Sequence, residues 1–113
     1  MAKILLSTLE SLPDYKISKH LGLVQGSSVR AKHAGKDILA SLKNMVGGEL
    51  KAYTELLQET RDEALQRMQD EATAIGANAV LNVRLATSSV AAGAAEVFAY
   101  GSAVVLTPLG AMR

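Results

Sequence analysis

This 113-residue sequence predicts an α+β fold, one small sheet covered by helix on one face, and three observations predict it. Between Gly47 and Gly76 the residues Tyr53, Leu57, Ala64, Met68, Ala72 and Ile75 recur mostly at three- and four-residue intervals, the spacing of one face of a helix. Directly after Gly76, Leu81, Val83 and Leu85 alternate with Asn82 and Arg84, the two-residue period of a strand. The apolar run from Glu96 to Thr107 then alternates as a last strand, ended by Pro108.

Taken in order, Ile4 to Thr8 reads as a short strand closed by Ser11 and Pro13, and its isolation suggests edge pairing or assembly. Tyr15 to Val24 is β-branched and apolar enough for a first full strand, with Gly22 marking a bulge or close approach, and Gln25 to Ser28 reads as its break. Asp37, Ile38, Leu39, Leu42, Met45 and Val46 have helical spacing, which predicts a short helix at about 35–46, stopped by Gly47 and Gly48.

The long helix follows, with Glu63 and Arg67 in the favourable i,i+4 orientation and Gly76 as its cap. At about 25 residues it is twice the usual length, so one chain is not expected to cover it. Ala77 to Ala86 is the second full strand, with Leu81, Val83 and Leu85 on the helix side and a polar opposite face. Thr87 to Ala95, rich in Ser, Ala and Gly, reads as a flexible connection. A right-handed crossover through the helices places the second full strand parallel to the first or beyond it, and the last two strands form a hairpin.

Length bounds the chain to one domain, 1–113, that buries about two-thirds of its unfolded surface, so a partner subunit would help it. A net charge of +1 implies neither nucleic acid nor an anionic membrane as partner. Aromatic content of 4% is too low for a base-stacking surface. The absence of cysteine removes disulfides, thiolate metal ligands and cysteine nucleophiles together. With no secretory pattern in its first residues, the sequence points to the cytoplasm. Ser88 to Leu106 has the length of a membrane span, but Glu96, Gly93 and Gly101 interrupt it, so no membrane span is expected.

Several short motifs resemble the YbjQ family of small bacterial and archaeal proteins: GLVQG at 22–26, Asp37-Ile38, Gly47-Gly48-Glu49, then Tyr53, Leu57, Arg61, Ala64, Met68, Ala72, and GANAV at 76–80. The likeness runs from about Ser7 to Leu106. It implies a dodecin-like β-α-β-β subunit with an antiparallel sheet, assembled as a homopentamer with short extra strands at the contacts. It also implies a heavy-metal-binding label, to which the residues lend little support.

Candidate site residues follow from placement. Arg61 lies about 80° from Tyr53 around the helix, inside or beside the apolar stripe, where it pairs with a neighbouring subunit's acid, lays its stem over the core, or binds an anion with its guanidinium fork. Glu71 projects along Tyr53's direction and is expected to pair with Arg61 or Arg84. Asn82 and Arg84 face the uncovered side of the sheet. For a metal, His20, His33 and Asp37 are the available donors, the last two at i,i+4; they suit surface roles better than a centre within one subunit. Gly47-Gly48 lacks the Lys-Ser or Lys-Thr of a phosphate loop and reads as a helix break.

No acid, base and nucleophile stand at a convincing spacing, and no cofactor is named by any motif. The sequence therefore predicts a homo-oligomeric module that binds a small ligand or ion between subunits, at Arg61, Glu71, Asn82, Arg84 and Tyr53. The alternatives are an interaction ring that docks partners on the Val97 to Leu106 strand as an edge, and an enzyme built only at the subunit interface.

Overall fold

A computed structural model describes residues 4–31, 48–91 and 94–112. The elements are strand β1 (Leu5–Leu6), strand β2 (Tyr15–Ala31), helix α1 (Gly48–Ala74), strand β3 (Ala79–Ala91) and strand β4 (Ala94–Pro108), with a closing 3-10 turn at Leu109–Met112. The short helix expected at about 35–46 lies outside the described residues. The sheet order is β1-β3-β4-β2. β4 pairs antiparallel with both β2 and β3, so those two run parallel with β4 between them, and β1 adds to β3 in parallel.

Three sequence expectations change. Gln25 to Ser28 does not break β2, which continues for 17 residues. Gln25, Gly26, Ser27 and Ser28 pair with Tyr100, Ala99, Phe98 and Val97. These small residues serve helix packing instead of a turn: a Cβ on Gly26 would stand 2.4 Å from both the Ala64 carbonyl oxygen and the Met68 nitrogen. Of the stretch Thr87 to Ala95, expected as a flexible connection, the described residues are strand, because β3 runs to Ala91 and β4 begins at Ala94, with Ala91 and Ala94 paired. Nor is Val97 to Leu106 a docking edge, since β4 is hydrogen-bonded on both sides and lies inside the sheet.

Helix α1 ends as a glycine-capped helix should. Gly76, at φ 92°, donates to the Thr73 carbonyl and Ala77 to the Ala72 carbonyl, the paired bonds of a Schellman cap. Ala72 and Ala77 are both buried in the core beside it. The buried stripe of α1 runs Leu56, Thr60, Ala64, Met68, Ala72, spaced by four. Leu57 is half-buried, and Ile75, 46% exposed, lies outside the stripe. Thr60 survives burial because its hydroxyl donates 2.7 Å to the Leu56 carbonyl. Against this stripe pack Val24, Val80, Val83, Val97, Ala99 and Ala103.

A bulge reassigns one face of β3. The register with β4 shifts between Leu81 and Arg84, and Asn82 sits there with φ 55°. Val80 and Val83 therefore both meet the helix-side core, while Leu81 joins Ala79, Val104, Leu106 and Leu12 in a second cluster. The expected common face of Leu81 and Val83 is thus split, and one end of the opposite face is apolar. Gly22, at φ 115°, marks a corresponding register shift in β2.

The subunit is long, 62 × 24 × 23 Å, with a radius of gyration of 17.8 Å where a compact chain of this length has about 13 Å. Its surface of 7248 Å² exceeds the roughly 5,900 Å² typical of a compact monomer of this mass. Among the described residues the layers differ in length: 17 extended residues span about 56 Å, and 27 helical ones about 40 Å. The overhang is the start of β2, where Tyr15 to His20 are exposed and include Ile17.

Candidate functional site

Two neighbouring arrangements lie on α1. The first is an ion-pair network. Glu63 accepts hydrogen bonds from the Ser28 hydroxyl and from Arg30 Nη2 at 2.7 Å, both on β2, and an ion pair from Arg67 at 3.3 Å, one turn along the helix. Arg30 also reaches Glu59 at 3.2 Å, and Arg67 donates 2.6 Å to the Ser27 carbonyl. The Arg30 hydrogen bond, then that from Ser28, lowers the Glu63 carboxyl from 4.5 to about 2. The same bond with Glu63 raises Arg30. This network ties helix to strand and leaves Glu63 a poor proton acceptor near neutrality.

The second is a trough along the other flank of α1, against β1 and β3. One hollow of about 340 Å³ is lined by Leu6, Thr8, Arg61, Leu65, Val83 and Leu85, among others. A second of about 250 Å³ shares Arg61 and Leu85 with it and adds Leu57, Gln58, Thr87 and Val97. A third of about 460 Å³, between Ile4, Leu5 and Gln69, shares Leu6. Arg61 stands at the middle of this trough, 47% exposed, with Asp62 at 3.4 Å as its ion-pair partner.

The other expected residues fall as follows. Glu71 is exposed and, among the described residues, forms no ion pair with Arg61 or Arg84. Ten residues along one helix separate Glu71 from Arg61 by about 15 Å, so sharing a face does not let them meet. Asn82 is half-buried and Arg84 exposed, and both build the bulge. The Asn82 amide donates to the Leu9 carbonyl and the Val83 amide to the Ser7 carbonyl, while Arg84 Nη1 reaches the Thr8 carbonyl at 3.1 Å. These bonds hold the segment after β1 on the sheet edge. Tyr53 lies in α1, with its side chain outside the described residues. Ser28 and Arg30 are not among the residues expected from the sequence, where only the Glu63–Arg67 spacing signals the network.

For metal, His20 is exposed on β2, and His33 and Asp37 lie outside the described residues. Among the described residues no three His, Asp or Glu side chains converge to hold an ion. With no thiolate in the chain, these donors do not fit a soft heavy-metal centre within one subunit. No helix among the described residues is long and apolar enough to cross a membrane.

Residues 4–107 match the model of the YbjQ_1 family, whose description reads "Putative heavy-metal-binding". A UPF0145 protein of Hahella chejuensis is 62% identical over 103 residues, covering 91% of this chain and 99% of that protein. One from Thermus thermophilus is 58% identical over 106 residues, covering 94% and 93%. One from Archaeoglobus fulgidus is 56% identical over 104 residues, covering 92% and 96%. A Pediococcus pentosaceus crystal structure, a protein of unknown function of the DUF74 family, superposes with a TM-score of 0.64 at 17% identity. It covers 92% of this chain and 98% of that one, a likeness of fold.

Proposed function

The chain belongs to the YbjQ family, and on that premise we propose that it is a non-catalytic binding module of the cytoplasm. Copies close into a ring, five of them by the family resemblance, and a small ligand is held in the Arg61 trough where subunits meet. The observation that carries this reading is the start of β2: Tyr15 and Ile17, 41% and 42% exposed, project from a strand that reaches beyond its own helix. An apolar strand left open in this way suits burial by a second copy. The excess surface and elongated shape point the same way. Glu63 is committed to Arg30 and Arg67, which makes it a structural acid in this reading.

The variant Ile17→Asp tests the reading by light scattering. The wild type is expected at a multiple of its 11.9 kDa subunit mass and the variant at a smaller multiple or as monomer. A wild type running as monomer would refute the ring. A second reading, a docking scaffold without ligand, is favoured by the outer sheet face, where Leu23 is 69% exposed on the same face of the sheet as the exposed Val29 and Tyr100. An intact ring with an Arg61 trough indifferent to every probe would favour it.

A further inference from the structure

We propose that the trough beside Arg61 takes a single-chain anionic amphiphile, a medium-chain carboxylate, with its head on the guanidinium and its chain along the aliphatic floor. This names the ligand class of the module described above and rests on that reading. The shape is the first argument. The three hollows share Leu6, or Arg61 and Leu85, and so adjoin along α1 from Thr54 to Gln69. Fifteen helical residues make that path about 22 Å long, suited to an extended chain.

The lining is the second argument. Leu6, Leu65, Val83, Leu85, Leu57 and Val97 supply aliphatic floor on both sides of Arg61. Arg61 and Asp62 are the charged residues of that lining. Asp62 is 70% exposed, holds Arg61 at only 3.4 Å, and sits one residue on, so about 100° of helical rotation turns it away. A guanidinium has five donors in a planar fork, and the long contact to Asp62 leaves most of them for a bidentate carboxylate. Among the described residues Arg61 is the one cation of that lining and already shares its charge with Asp62, so a dianionic phosphate would leave more charge uncompensated over an apolar floor than a monoanion, and a monoanion fits better. Thr8 and Ser7 add hydroxyls at the same point of the trough.

Calorimetric titration of the intact protein with octanoate, 1-octanol and acetate tests this, with methyl NMR reporting the location. Octanoate should bind at least about ten-fold more tightly than 1-octanol, the worth of a charge-assisted pair, and acetate should not bind detectably. Arg61→Gln should bring octanoate down to the affinity of 1-octanol, while Leu85→Ala should weaken both alike. The Leu65, Val83 and Leu85 methyls should shift. Equal binding of octanoate and 1-octanol, indifference to Arg61→Gln, or shifts centred on Leu23 and Val29 would overturn the proposal, as would no binding. The oligomer mass is read on the same sample: an intact ring that ignores octanoate refutes only the ligand class, whereas a monomer refutes the ring itself.

Discussion

Arg30 on β2 meets Glu63 on α1 at 2.7 Å, and Ser28, two residues earlier on the same strand, bonds the same carboxylate. Side chains two apart on a strand share a face, so β2 presents both donors to one acid, and Arg67 holds that acid from its own helix. Replacement by Glu63→Gln should lower the unfolding midpoint at neutral pH, because a neutral amide cannot form an ion pair with either guanidinium. The folded-state carboxyl is depressed from 4.5 to about 2, so its stabilisation is complete above about pH 4.5 and fades as pH falls toward 2. Urea unfolding of both forms across that range, at low ionic strength, should show the gap closing with acid. A gap independent of pH would mean the network acts through packing.

Gly26 is where α1 comes closest to the sheet. In Gly26→Ala the new methyl would meet backbone atoms of Ala64 and Met68 at 2.4 Å, which cannot rotate aside. Loss of about 3 kcal/mol, the upper end for overpacking, is expected in denaturant titration. Gly110→Ala, with nothing within 4 Å, should change stability by less than about 0.5 kcal/mol.

The same glycine shows what can be read from the sequence. The period of α1, its Gly76 cap, the three long strands and their order along the chain are legible, because each depends on near neighbours. Gln25 to Ser28 misleads because glycine and serine mark turns and also mark close packing, and only the helix passing over β2 separates the two. Leu81, Val83 and Leu85 alternate without a flaw, yet the bulge at Asn82 divides them; the signal is asparagine itself, which tolerates positive φ. Helical angle alone locates Arg61 on its flank. Its trough also needs β1 and β3, and the Arg30–Glu63 pair spans 33 residues, beyond any local pattern.

Asn82 holds the bulge at φ 55°. In Asn82→Val a β-branched side chain is forced into that conformation, and a loss of about 1–2 kcal/mol is expected, whereas Asn82→Gly should stay near wild type. Urea midpoints of the two variants check this. Equal losses would show that the asparagine side chain, and not its backbone, sustains the bulge.

Met68 is fully buried at the centre of the helix stripe. Met68→Ala should cost about 2–5 kcal/mol through lost burial and a residual cavity, read as a lower denaturant midpoint with an unchanged slope. A changed slope would indicate that the variant no longer unfolds from the same compact state.

A native mass spectrum of protein purified without added metal or chelator bears most directly on assembly as the completion of this subunit. One closed oligomer is predicted, its mass an integral multiple of 11.9 kDa, with five subunits as the family resemblance implies. A stable monomer would contradict the account, since the exposed Tyr15 and Ile17 would then need no second copy to cover them.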